Sequence, residues 1–593
     1  MLKTLVGLAV ALVLTGAGAA WLTSKATRIS TELTSAASLI GALQAEIAAG
    51  DKDAAASTVA QLRSHTSAAK EAAGDPLWTL AASIPGLGSN FSAVAEVARS
   101  ADDVVNLSLA PLVNVFDTLD WNALLPNGSG TDLKPVHAAS PTVTAAAHVV
   151  RVSAQRLDRI DDRGLLPQVS GPLAEARAQL NEVTGALDAA ADAAELAPEM
   201  LGIDGTRSYL LIVQNNAESR ASGGIPGALA ILTLEDGKPA LGAQSSASQV
   251  GTMNPIIPTD PEQTAIYSPR LGKFMQDANL TPDFPTAAST VHAMWERKTG
   301  QRVDGVISID PVALSYILAA TGPVQLSDPG LLRLANLGLP TELRGDNVVK
   351  TLLSDVYAKI EEPSLQDAYF AGVAQEIFST LSKGQSDGKN LIKGITRGVE
   401  ERRVLMWSSS SDEQATLGKY QVSGSIAGSS VSPAQFGVYF NDGTGAKMDY
   451  YTKRTVQLIK ECPRDGYEET TVRVTSTNTA PADAATSLPP YVTGDGVFGV
   501  PPGSVQTNIV AYGPAQAHVE TAKLDGQKTD FAPYFHGNRP VGVLAIRLAP
   551  GESRTVDFTF GKIVQHTEPN VVVTPTVQDV KDVTLPIESV ACG

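Results

Sequence analysis

The chain has 593 residues with 45 Lys+Arg against 62 Asp+Glu, a formal charge of −17 and a pI near 4.9. A field of that sign repels polyanions, which excludes nucleic acid as a general partner. The 43% hydrophobic and 18% charged fractions exclude both a disordered chain and a multi-span membrane protein, and two cysteines exclude a disulfide scaffold.

The first signal is at the amino terminus. Leu5 to Leu22 is a run without charge, preceded by Lys3 and followed by Lys25 and Arg28. As a helix rising 1.5 Å per residue it would be roughly 27 Å long, enough to span thin hydrocarbon. Residues 1–25 are therefore expected to be a membrane anchor, with a signal peptide cut near Ala17-Gly18-Ala19 as the rival reading. Both readings place the remaining chain outside the cytoplasm, where a Cys462–Cys592 disulfide would persist; two unpaired buried thiols are the alternative.

Residues 26–200 are Ala-rich with helical spacing. Leu173, Ala176, Leu180, Val183, Leu187, Ala190 and Ala194 form a three–four repeat along one seam. Pro172 reads as a first-turn residue and Pro198 as a stop. Breaks at Gly74-Asp75-Pro76, at Pro85-Gly86-Leu87-Gly88 and after Asn127 suggest antiparallel helices forming a stalk.

Residues 203–430 alternate strand and helix signals and predict an α/β domain. Ser208–Val213 and Ala228–Leu234 read as buried strands with a turn at Asp236-Gly237. A further strand is expected over 305–309, and helices over 284–297, 311–320, 346–360 and 364–383. Residues 431–593 are β-rich, with strand signals at 455–460, 470–475, 505–512, 541–548 and 553–560. They predict an immunoglobulin-like sandwich, whose tail could return Cys592 to it.

Two formal motifs fail on context. Gly494-Asp495-Gly496-Val497-Phe498-Gly499 matches the dinucleotide spacing, yet Pro501-Pro502 forbids the helix that must follow. Ser67-Ala68-Ala69-Lys70 lies in an Ala-rich helix without partner motifs. The polar run 214–224 offers more. Asn215, Asn216 and Glu218 follow a buried strand, Arg220 carries a fork suited to phosphate, and Gly223-Gly224 permits close backbone approach. Asp277, Asn279 and Asp283 supply hard oxygen ligands of the kind magnesium accepts. Satisfied turns and helix caps are the bland reading of both groups.

Several motifs in order resemble the bacterial domain-of-unknown-function 4012 family of exported proteins. They are Tyr209 to Glu218 with Gly223-Gly224, Asp277-Ala278-Asn279 with Asp283, Val303 to Val306 leading to Asp310-Pro311, Leu353 to Tyr357, Glu401-Arg402-Arg403, and Asn441-Asp442 with Lys447 to Tyr451. Gln276 stands where that family usually has arginine, and Arg270 is the nearby cation that would compensate. The passage Gly305 to Leu326 is more distantly similar to the LytR-CpsA-Psr phosphotransferases, although Tyr209 replaces their acidic metal ligand.

The resemblance implies a cell-envelope protein that binds, and transfers, a polyprenyl-phosphate-linked glycan destined for a cell-wall polymer. Arg207 and Arg220 would neutralise the diphosphate, Asp277 and Asp283 would hold Mg²⁺, and Glu218 would be the acceptor base. Asn215, Asn216, Gly223, Gly224, Arg270 and Asn279 would line the ligand. The alternative is a non-catalytic envelope scaffold or a module that binds polymer or protein.

Overall fold

The computed structural model describes residues 2–118, 131–382 and 388–592, apart from the side chains of residues 2–19, 48, 117, 118, 388 and 389. The chain forms two compact units, one of helices up to Met200 and one over Leu201–Gly593.

In the helical unit, α1 (Leu2–Ala49) and α2 (Lys52–Ala73) form a hairpin broken at Gly50-Asp51. Gly50 takes φ 73°, which a side chain resists, and Asp51 caps α2 by accepting from the Ala54 N–H at 3.1 Å. Asp75 then starts the short α3 (Pro76–Ala81), and α4 (Gly88–Val104) passes through a π-turn at Val105–Leu109 into α5 (Ala110–Thr118). A second hairpin joins α6 (Lys134–Asp158) to α7 (Pro167–Met200). Buried alanines such as Ala55, Ala69, Ala98 and Ala147 let the helices approach closely.

α7 departs from expectation. It starts five residues before Pro172 and runs through Pro198, and Leu173 is buried while Val183 and Ala190 are exposed. It packs mainly on α6, so one neighbour half-buries the stripe. The expected break after Asn127 lies outside the described residues. α1 continues through the uncharged run, but the side chains of most of that run are outside the described set; among the described residues no helix is long and apolar enough to cross a membrane.

The second unit contains a five-stranded mixed sheet in the order β3, β2, β1, β4 and the strand Leu405–Ser408. Here β1 is Arg207–Arg220, β2 Gly223–Glu235, β3 Lys238–Ser246 and β4 Gly305–Ile309. Asp236 and Gly237, both at positive φ, make the tight turn between β2 and β3. β1 pairs antiparallel with β2 and parallel with β4, the latter connection covered by the helix Phe284–Thr299. Leu210, Ile212, Leu229, Val306, Val291 and Met294 close the core between sheet and helix.

The sandwich follows, a six-stranded sheet facing a five-stranded one. Val556, Phe558 and Phe560 share a face, as their alternation predicts, and pack with Phe436, Val438 and Val474 between the sheets. The tail strand Asn570–Val573 pairs parallel with Gln435–Asp442. Cys462 and Cys592 are joined by a disulfide, their Cα atoms 5.5 Å apart. The α/β layer and the sandwich form one unit, so the expected boundary at 430/431 falls inside a continuous body.

Candidate functional site

The run 214–220 is strand, where the sequence suggested a ligand loop. β1 continues to Arg220, with register shifts after Val213 and between Asn215 and Ser219. The shifts place buried polar side chains along the strand; among the described residues the Ser219 hydroxyl and Asn216 Oδ1 have no hydrogen-bond partner, while the amide nitrogens and the charged groups bond within the protein. Gln214 donates to Ser308 Oγ at 2.6 Å and accepts from the Gly224 N–H at 2.6 Å. Asn215 donates to the Tyr357 hydroxyl at 2.5 Å, and Asn216 to Asp310 at 3.0 Å and the Pro575 carbonyl at 3.2 Å.

Gly223 and Gly224 are required by the chain's own crowding. A Cβ on Gly223, whose φ is 141°, would lie 2.0 Å from Gln214 Oε1, and one on Gly224 would lie 2.2 Å from the Asn215 carbonyl. The close approach expected for a ligand is therefore made by Gln214 and by β1 itself.

Arg220 lies at the tip of the β1–β2 hairpin, buried against the sandwich. Its Nε donates to the Gln276 carbonyl at 3.3 Å and its Nη1 to the Ser219 carbonyl at 3.0 Å. Its Nη2 meets Glu218 at 3.1 Å and Asp277 at 3.4 Å. Lys447 donates to the other Glu218 oxygen at 2.6 Å while lying 5.8 Å and 5.6 Å from the Tyr357 and Tyr491 ring centres. Burial alone would raise the Glu218 carboxyl, but Lys447 and Arg220 outweigh it and hold Glu218 below the ordinary carboxylate range. A carboxylate held that way is a poor proton acceptor, which weighs against the expected acceptor-base role.

Asp277 and Asp283 do not form a magnesium pair. Asp277 accepts from Arg220 on one oxygen and from Arg270, at 2.7 and 2.8 Å, on the other. Two guanidinium groups on one carboxylate oppose a dication. Asp283 caps the helix Phe284–Thr299, accepting from the Thr286 hydroxyl at 2.6 Å and its N–H at 3.3 Å. The donor set does not fit Mg²⁺, and among the described residues no group of three or more His, Cys, Asp or Glu is arranged for a metal. Asn279 donates to the Gly224 carbonyl at 2.8 Å, which ties the Asp277–Asn279 turn to the hairpin.

Arg207 is elsewhere. It starts β1, bonded to Glu413 at 2.6 Å, thirteen residues along the same strand from Arg220 and about 40 Å away at 3.3 Å per residue. The two arginines expected on one diphosphate cannot share it.

Beside the hairpin tip lie charges to which the sequence reading assigned no role. Asp449 accepts from the Ser219 N–H at 2.8 Å and from Arg454, which also donates to Thr507 at 3.0 Å and lies 4.6 Å from the Phe440 ring centre. Asn441 accepts from the Ala221 N–H at 2.9 Å. Arg403, with no exposed side-chain surface, donates to Asp310, Glu401 and the Thr576 and Gln578 carbonyls at 2.8–2.9 Å. Their signal was the set of charged motifs themselves, at 310, 401–403 and 447–449, each placed between apolar runs.

Burial, then repulsion from Asp449 and Glu218, pushes the Asp442 carboxyl up to about 7, and the folded chain keeps a proton there that the unfolded chain releases near pH 4. With more protons bound folded than unfolded, stability falls as pH rises from about 4 to 7. Glu218, depressed in the fold, works oppositely and withdraws stability as pH falls below its unfolded value near 4. Urea titrations from pH 5 to 8 should show declining stability in the wild type and a flatter profile in Asp442→Asn; equal slopes would refute this.

The class these features define is a helical unit followed by a unit in which a mixed sheet and a β-sandwich share a buried charge network. Residues 204–357, about a quarter of the chain, match the family described as Protein of unknown function (DUF4012), and the resemblance carried by the motifs holds over that span. No curated protein matches the chain.

Proposed function

We propose that the chain is a non-catalytic scaffold of the cell envelope, exported and held at the membrane by its amino-terminal segment, whose second unit docks an envelope polymer or another exported protein. The observation that carries this reading is Arg220: each of its nitrogens donates inside the protein, and its pairing with Glu218 and Asp277 spends that guanidinium on the fold instead of on a diphosphate. In this reading the sheet is LytR-CpsA-Psr-like and the sandwich immunoglobulin-like.

A second reading, binding and transfer of polyprenyl-phosphate-linked glycan, draws on Arg270. Its side chain is 60% exposed at the rim of the network and offers a cation to solvent. The two readings separate in one experiment. Full-length protein would be incubated with Mg²⁺, a polyprenyl-diphosphate-linked glycan and peptidoglycan, and its co-purifying lipid extracted for mass spectrometry. We expect no transfer above the protein-free control and no stoichiometric polyprenyl phosphate. Transfer that Arg270→Ala abolishes would overturn the scaffold.

A further inference from the structure

The helical unit exposes apolar side chains beside the point on α1 where the uncharged run ends. The twenty residues Pro76 to Ala95 carry no charge, yet they are broken into α3, a loop and the start of α4, so they cannot span a bilayer as one helix. Trp78 turns inward, donating to the Phe91 carbonyl at 3.0 Å and packing edge-on against its ring at 4.9 Å. That anchor forces the opposite side of α3 outward. Leu80 is 67% exposed, and Leu77, Ile84 and Leu87 are exposed beside it. Leu166, also exposed, joins them through its N–H to Asn90 Oδ1 at 2.8 Å, next to Leu87.

This rim is fastened to α1 where the uncharged run ends. Trp21 donates to Asp75 at 3.3 Å and Lys25 pairs with the same carboxylate at 3.1 Å, with its ammonium 5.0 Å from the Trp21 ring centre. The acid that caps α3 is thereby neutralised. Trp21 itself is about half exposed, and Arg28, two turns on, is exposed. A contiguous apolar surface of this kind marks an interface. The uncharged run Leu5–Leu22 ends on α1 at the residues fastened to this surface, and an indole and an exposed arginine at that level select lipid over protein as the occupant.

We propose that this end of the helical unit lies on a lipid bilayer, with Leu77, Leu80, Ile84, Leu87 and Leu166 dipping into the headgroup–acyl boundary around the entry point of α1. The proposal rests on the reading that the amino-terminal segment enters the membrane. The bilayer would then hold the unit by a ring of side chains as well as by one helix, fixing the direction in which α1 leaves the surface.

The test uses the full chain, whose two native cysteines are disulfide-bonded, so that an added cysteine is the reactive thiol. Leu80→Cys and Ser57→Cys, the latter on α2 near the far end of the α1 hairpin, are labelled with bimane and reconstituted into vesicles containing brominated phosphatidylcholine. We expect quenching at residue 80 several-fold stronger than at residue 57. Flotation with equal, weak quenching at both would overturn the rim while leaving the anchor. Absence of flotation would overturn the anchor and the rim with it. Protection of the residue 80 label that scales with protein density instead of brominated lipid would assign the surface to a second copy and overturn the proposal.

Discussion

Arg403→Ala is expected to destabilise the Leu201–Gly593 unit by about 3–5 kcal/mol, the usual cost of removing one partner from a buried, hydrogen-bonded ion pair. The guanidinium holds Asp310, which caps the helix Pro311–Thr321 through the Ala313 N–H at 2.7 Å, and Glu401. It also bonds two carbonyls of the tail that returns from the sandwich. Truncation leaves Asp310 without its cation and the two carbonyls without that donor, while Glu401 keeps Arg397 at 2.9 Å. Lysine cannot reach four acceptors from one nitrogen, so Arg403→Lys should recover only part of the loss. Arg302→Ala is the control: its pair with Glu296 at 2.7 Å is solvated, 87% exposed on the arginine, and should cost under about 1 kcal/mol. Urea unfolding followed by tryptophan fluorescence would measure all three, and an Arg403→Ala midpoint equal to that of the control would refute the assigned role.

Reducing the Cys462–Cys592 disulfide is the second large effect. The bond closes a loop with a sequence separation of 130, worth about 5 kcal/mol in the chain-entropy model before native strain is subtracted. The tail also has native attachments, with Leu585 N–H donating to the Val456 carbonyl and Val590 N–H to the Lys460 carbonyl at 2.9 Å each. The folded tail should therefore stay in place after reduction, and the loss should appear as a lower unfolding midpoint. Cys592→Ser should show that lower midpoint with or without reductant. A wild-type midpoint indifferent to reductant would contradict this.

The buried charges explain why the site was only half legible. Glu218, Arg220 and Asp277 were picked out as a group and do meet, but from the sequence their meeting looked like an anion or metal site. Whether a guanidinium is spent on the protein or free for a ligand depends on Gln276, Ser219 and Asp277 oxygens brought to it by folding, and no spacing rule reports that. Arg207 illustrates the converse. It is thirteen residues from Arg220, close enough in the chain to suggest cooperation, until a strand extends between them and carries them to opposite ends. The glycines at 223 and 224 were read as places where a ligand approaches the backbone, and the groups crowding them in the fold are the Gln214 side chain and the Asn215 backbone.

Local rules determined the elements. Alternation placed Val556, Phe558 and Phe560 on one inward face, Asp236-Gly237 made its turn, and the helices after Asp283 and Asp310 begin where capping chemistry puts them. Those signals act over a few residues and are written in neighbouring side chains. The joining of the α/β layer to the sandwich was decided only in three dimensions. It depends on Ser219 reaching Asp449, Ala221 reaching Asn441 and Glu218 reaching Lys447, across more than two hundred residues each. A buried charge is stable only beside its complement, and which complement arrives is a property of the whole fold.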